Sequence, residues 1–188
     1  AGMSALLEVN DLRTHIFPKR GVVKAFDGVS FTLGEAETLG LIGESGSGKT
    51  MTGLSILGMP PRPAGRIVSG SIRLDGEELT ALDEREYAER VRGSKIAMIS
   101  QDPLTSLNPV FSIGSQVAAP VRAHGLGTRR EALDIAVGEL ERVRVPSARD
   151  RARDYPHQFS GGMRQRVVAA MAIACKPRLL IADEPTSA

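Results

Sequence analysis

Two periods of apolar residues run through the chain. Val29, Phe31 and Leu33 alternate with small polar residues, which predicts a half-buried strand over residues 22–33, and Leu6 to Val9 predicts a second, shorter one. Together they are expected to form an antiparallel edge or a small sheet. Thr38 to Ile42 is a short apolar stretch running into a Gly/Ser cluster. Met51 to Leu57 has helical composition and stops at Gly58, with Pro60 and Pro61 beyond, so strand, loop and helix are expected there in that order. Ser71 to Leu74 reads as a strand entering the Asp75-Gly76 turn, Asp83 to Val91 as a charged helix, and Lys95 to Ser100 as another strand. The first hundred residues therefore mix α and β.

From Pro103 to Pro156 the strand signals vanish. Thr128-Arg129-Arg130-Glu131 has the capping-box pattern, followed by Leu133, Val137 and Leu140 at helical spacing, so residues 103–156 are expected to form a helical subdomain. Ser160 stands ahead of a helix from about Gly162 to Cys175, stopped by Lys176-Pro177. Leu179 to Ala182 then reads as a buried strand ending in Asp183-Glu184-Pro185. With 188 residues, 41% hydrophobic and 24% charged, the chain is expected to form one α/β domain over 1–188 with the helical block inside it.

Composition narrows the chemistry. Cys175 is the single cysteine, which excludes an intrachain disulfide framework and a multi-cysteine metal site, and a reducing, cytosolic compartment fits best. The longest strongly apolar run, Val167 to Cys175, is nine residues, against about 20 for a spanning helix, so no membrane crossing is expected. A net charge of +2 is too weak a field to argue for nucleic acid or anionic lipid. Arg142, Arg144, Arg149, Arg151 and Arg153 are interleaved with Glu141, Asp150 and Asp154, which reads as a solvated charged face, and His15, His124 and His157 have no metal-ligand spacing. Ala1-Gly2 ahead of Met3 is set aside as a leftover.

The sharpest signal is Gly43-Glu44-Ser45-Gly46-Ser47-Gly48-Lys49-Thr50, which satisfies G-x-x-x-x-G-K-[ST] between an expected strand and an expected helix. Glycines let the backbone curl so that successive N–H groups point at phosphates, and the helix adds its positive end. Gly43, Ser45, Gly46, Ser47, Gly48, Lys49, Thr50 and Met51 are the candidate nucleotide contacts, with Lys49 supplying charge to the β/γ-phosphates and the Thr50 hydroxyl a ligand for Mg²⁺. A flexible Gly/Ser turn with a solvated lysine is the plainer alternative. By itself the loop leaves kinase, GTPase, helicase and transporter motor open. At the end of an apolar strand, Asp183 can hold Mg²⁺ and Glu184 can orient and deprotonate an attacking water. Ser160, Gly161 and Gly162 set a hydroxyl and two small residues at a helix start, a second anion site or an ordinary N-cap.

In this order the three motifs resemble the ATP-binding subunit of an ABC transporter, over essentially the whole chain. Ser160 to Gln165 is similar to the family's signature loop, with Met163 where the commonest form has Gln. Gln101 resembles the Q-loop glutamine, which the resemblance implies touches Mg²⁺ or water and senses the membrane subunit. Gln101 to Pro109 and Tyr155 to Met163 are similar to the oligopeptide, dipeptide and nickel uptake branch, with peptide import the leading cargo. Phe17, with Phe26 nearby, is the candidate for stacking on adenine.

The resemblance implies ATP and Mg²⁺ as ligands. It also implies a head-to-tail dimer in which the P-loop of one subunit and Ser160 to Gly162 of another enclose ATP. Membrane permease subunits are expected to dock on the helical block, with an extracytoplasmic peptide-binding protein as an indirect partner and no nucleic acid. The expected place is the cytoplasmic face of the membrane. A soluble ABC-type ATPase acting on DNA or ribosomes, and a non-catalytic docking module, are the rival readings. The family's D-loop, later strands and switch histidine lie beyond Glu184, and only Pro185 to Ala188 follow here. A truncated chain with weak nucleotide affinity and poor hydrolysis is therefore expected.

Overall fold

Two twelve-residue strands, β1 (Ala5–Ile16) and β2 (Val23–Gly34), open the chain. In the computed structural model, which describes residues 5–100 and 106–184, they pair antiparallel from Ala5 opposite Gly34 to Ile16 opposite Val23. β1 also pairs antiparallel with β3 (Gly65–Leu74), from Leu7 opposite Leu74 to Ile16 opposite Gly65. β4 (Glu77–Glu78) folds back on β3, and the sheet order is β2-β1-β3-β4. The expected antiparallel edge is present, but β1 runs well past Val9. Its register shifts between Val9 and Leu12, where Asp11 takes a left-handed φ of 43°, so that Val9 and Leu12 are both buried. Such a bulge breaks the period of two, which is why the pattern shows only the first four residues.

The helices of this part dock by polar ties as well as apolar burial. α1 (Lys49–Ile56) is held to β1 by the buried Ser55 and Thr14 hydroxyls, 2.9 Å apart. α2 (Glu84–Arg90) is capped by Asp83, whose Oδ1 accepts from Glu86 N at 2.8 Å while Glu86 Oε2 accepts from Asp83 N at 3.0 Å. One turn on, the buried Tyr87 hydroxyl donates to Ile56 O at 2.6 Å.

The strand expected over Thr38 to Ile42 does not form. Leu39 and Leu41 are exposed, and Ile42 is 99% exposed. Apolar character alone does not make a strand, because its N–H and C=O groups need a ladder, and this segment pairs with none of the described strands.

The chain divides into two compact units, Ala1–Ala88 and Glu89–Ala188. In the second, β5 (Ile96–Ile99) and β6 (Leu179–Ala182) pair in parallel, Ile96 opposite Leu179 and Ile99 opposite Ala182. Between them lie α3 (Ile113–Ala123), α4 (Arg129–Arg142), the short α5 (Ala148–Arg151), a 3₁₀ turn at Pro156–Gln158, and α6 (Gly161–Ile173). Their facing sides share one core that includes Ile113, Val117, Val121, Ala132, Leu140 and Val167. Both halves of the capping box at Thr128 form: Thr128 N donates to Glu131 Oε2 at 2.7 Å, and Glu131 N to Thr128 Oγ1 at 3.4 Å. Gln116 stitches the loop before α3 to the helix, accepting from Asn108 N at 2.8 Å and donating to the carbonyls of Asn108 and Phe111, both at 2.9 Å. Among the described residues no helix is long and apolar enough to cross a membrane.

Candidate functional site

The loop before α1 is shaped by Gly48, whose φ of 93° and ψ of 8° place it in the left-handed region immediately ahead of Lys49. A Cβ there would lie 2.7 Å from Ala25 O on β2, so both the conformation and the space demand glycine. Ser47 N donates to Glu44 O at 3.1 Å, and Thr52 donates to Gly48 O through both its N, at 2.8 Å, and its Oγ1, at 2.9 Å. Thr52 is a support the motif pattern does not single out; a hydroxyl one turn after the last motif glycine was the available signal. Lys49 Nζ donates to Gly43 O at 2.7 Å and Glu44 O at 2.8 Å, so the ammonium is folded over the loop onto two carbonyls. A phosphate is a stronger, charged acceptor that can take over these bonds. Ser45, Gly46, Ser47 and Thr50 are exposed and Met51 is half-buried.

Two aromatic candidates in the same unit separate clearly. Phe26 is buried in the core, whereas Phe17, just past β1 with its N bonded to Ala64 O at 2.8 Å, is 41% exposed.

The second unit assembles the other candidates. Asp183 N donates to Ile99 O at 2.9 Å, which extends the β5–β6 ladder and sets the C-terminal ends of both strands side by side. Asp183 is half-buried; Glu184 is exposed, with a left-handed φ of 47° that favours glycine and holds a non-glycine residue in strain. Ser160 caps α6, its Oγ accepting from Met163 N at 3.4 Å. An open cavity of about 610 Å³ is lined by Ser100, Ser160, Gly162, Gln165, Arg166 and Glu184. The serine and glycine of one motif thus share a cavity with the carboxylate of another, although 24 positions separate Ser160 from Glu184. Gln101 falls outside the described residues; Ser100, just before it, is on the cavity wall.

The turn into Ser160 is fixed from within. Arg164 Nε donates to Pro156 O at 2.8 Å and Phe159 O at 3.0 Å, a tether that spacing alone does not reveal. Arg151 lies over the buried Phe159 ring, 5.0 Å from its centroid, and its Nη1 donates to the Met163 sulfur at 3.3 Å. Met163, the departure from the commonest signature, therefore has a partner of its own.

Gly161 and Gly162 stand apart from Gly48. Neither has a positive φ, and a Cβ on either would meet nothing within 4 Å. Packing among the described residues does not require them to be glycine.

Of the residues expected to serve Mg²⁺, Thr50 in the first unit carries a hydroxyl oxygen and Asp183 in the second a carboxylate, both hard oxygens of the kind that ion takes.

The profile of the ABC transporter family matches residues 26–187. The oligopeptide transport ATP-binding protein AppD of Bacillus subtilis is 47% identical over 186 residues, 99% of this chain and 56% of that protein. OppD of Salmonella typhimurium, also an oligopeptide transport ATP-binding protein, is 48% identical over 185 residues, 98% of this chain and 54% of its own. A probable peptide ABC transporter ATP-binding protein of Sinorhizobium fredii, y4tR, is 49% identical over 183 residues, 97% of this chain and 54% of that one. The chain therefore spans about half the length of the curated relatives it matches. Among solved structures, the dimeric ATP-binding cassette MJ0796 in a post-hydrolysis state bound to ADP and Pi superposes with a TM-score of 0.83 at 25% identity, covering 97% of this chain and 75% of that one. With a P-loop, a carboxylate-tipped strand and a serine-capped signature helix in the family's order, and a family match across most of its length, the chain belongs to the ABC transporter family.

Proposed function

We propose that this chain is the ATP-binding and ATP-hydrolysing part of a motor subunit that drives peptide uptake through a membrane ABC transporter. The observation that carries the reading is the loop at Gly48, where a left-handed glycine opens α1 and brings Lys49 Nζ to within 2.8 Å of two loop carbonyls. A triphosphate entering there exchanges those carbonyls for its own oxygens and gains the N–H groups at the start of α1. Residues 43–51 bind the phosphates, Thr50, Asp183 and Gln101 serve Mg²⁺, Glu184 positions the attacking water, and the exposed Phe17 ring stacks on adenine.

Ser160, Gly161 and Gly162 complete the site from a second ATP-binding subunit, and the similar cassette MJ0796 was solved as a dimer. The open space beside Gly161 and Gly162 supports a function at an interface. Residues 103–156 act as a helical subdomain of one ATP-binding domain and dock on permease subunits at the cytoplasmic face of the membrane; an extracytoplasmic peptide-binding protein is the indirect partner. The peptide cargo rests on the relatives, which are named for oligopeptide and peptide transport.

The test uses the full-length subunit. Mg-ATP binding is measured by equilibrium dialysis, and turnover by phosphate release with the permease subunits present. Lys49→Ala removes charge-assisted hydrogen bonds and is expected to weaken binding roughly ten- to hundredfold. Glu184→Gln is expected to bind ATP and fail to turn it over. Unchanged affinity in Lys49→Ala, or full turnover in Glu184→Gln, defeats the reading, and failure of the subunit to copurify with permeases defeats the transport assignment alone.

A further inference from the structure

Arg66 has no part in the motifs, yet the sheet register fixes its place. On β3 it lies directly opposite His15 of β1, with Ile16 opposite Gly65 one step further on. Phe17 continues β1 by one residue through its bond to Ala64 O, which puts it on the same face as His15 and diagonal to Arg66, within reach of a long side chain. The guanidinium carbon of Arg66 sits over the Phe17 ring, 5.9 Å from its centroid, and the His15 ring stands at its side, 6.3 Å away and tilted by 53°. Among the described residues the Arg66 side chain makes no ion pair or hydrogen bond; its contact is with this ring. Phe17 nonetheless keeps 41% of its surface exposed. The strand that follows the Phe17 loop is β2, whose Ala25 carbonyl approaches Gly48 of the phosphate loop, so one piece of backbone links the two.

We propose that Arg66 is a positioning residue for nucleobase binding: its guanidinium, laid over Phe17, holds the ring so that the exposed surface presents a stacking platform to the base of the nucleotide. This rests on the reading of Phe17 as the stacking aromatic. An isolated exposed phenyl ring samples several rotamers, and the orientation has to be restored each time a base binds. A cation over the ring selects one orientation beforehand and reduces the entropy lost on binding. Arg66 then acts on the base and not on the phosphates, which separates it from Lys49.

The full-length subunit tests this with two probes, Mg-ATP and Mg-tripolyphosphate, the second lacking base and sugar. Arg66→Ala is expected to raise the ATP Kd about two- to fivefold and leave that of tripolyphosphate unchanged, with Arg66→Lys in between. Phe17→Ala is expected to raise the ATP Kd by about tenfold, and adding Arg66→Ala to it should produce no further loss. Equal weakening of both probes by Arg66→Ala shows a general electrostatic role and overturns the proposal. So does an unchanged ATP Kd in Arg66→Ala where Phe17→Ala weakens it, and in that case the stacking reading survives. An unchanged ATP Kd in Phe17→Ala removes the stacking reading and the proposal with it. Thermal melts of each variant accompany the titrations, and Arg66→Lys, which keeps charge and length, reports on the contact where Arg66→Ala disturbs the sheet.

Discussion

Replacing Gly162 by alanine should make the protein more stable and less active. Gly162 is the second residue of α6, has no positive φ, and offers open space where a Cβ would go. Glycine inside a helix is less favourable than alanine by about 0.5–1 kcal/mol, chiefly through the freedom it regains on unfolding. For a chain of this length that corresponds to a rise in Tm of roughly 1–4 °C. The neighbouring Gly161 is in the same position and should respond alike. Gly48→Ala is the control with the opposite sign: its Cβ would meet Ala25 O at 2.7 Å in a left-handed backbone, and a loss of about 1–3 kcal/mol is expected. Function should move the other way for Gly162. If ATP held by one subunit approaches Ser160 and Gly162 of another, a methyl group obstructs the approach by about as much as overpacking does, 1–3 kcal/mol, and ATP-dependent dimerisation weakens about fivefold to a hundredfold. The assay pairs differential scanning calorimetry with analytical ultracentrifugation of full-length Glu184→Gln protein in Mg-ATP. A destabilised Gly162→Ala would show that the glycine serves internal packing, and a stabilised variant that dimerises normally would remove the reason for assigning it to a ligand.

Thr128→Ala removes the acceptor of the α4 capping box and should lower stability by about 1 kcal/mol, read as a lower Tm with no change in ATP affinity. Burial pushes the Glu78 carboxyl up, but hydrogen bonds from Thr80, Arg73 and the Ile72 and Thr80 amides outweigh it and hold the group below its ordinary value. A carboxyl lowered by folding stabilises above its unfolded value and stops doing so as pH falls through the folded one. Glu78→Gln should therefore lose about 1 kcal/mol at pH 7 in urea titrations, and the difference from wild type should shrink as pH falls below the ordinary glutamate range and the folded carboxyl takes up its proton. Burial pushes the Cys175 thiol up, so at pH 8 iodoacetamide should modify it more slowly in the folded protein than in urea; equal rates would place the thiol in solvent.

The difference between what the sequence discloses and what it hides follows from how far apart the interacting groups are. The Thr128 capping box and the Ser160 cap are legible in the sequence because each closes within a few positions, Thr128 meeting Glu131 and Ser160 meeting Met163 three residues on; at the loop before α1, Gly48 sets the turn, but the strand expected ahead of it is absent and the helix begins at Lys49, two residues before the expected Met51. The bulge in β1 was hidden because Asp11 resets the pleat, and burial at Val9 and Leu12 then no longer follows the period of two. Thr38 to Ile42 shows the converse error. Its composition is that of a short apolar strand, but a strand exists only through the ladder of a neighbour, and this segment pairs with none of the described strands. The same distinction separates the residues of the site. Lys49, Asp183 and Glu184 stand out as candidates because each belongs to a local motif. Arg164 and Arg66 are invisible because one binds carbonyls five and eight residues back and the other reaches its ring across a strand pair. Residues that position others are found by register and distance, and in this chain both examples are arginines whose long side chains extend beyond the range of any spacing rule.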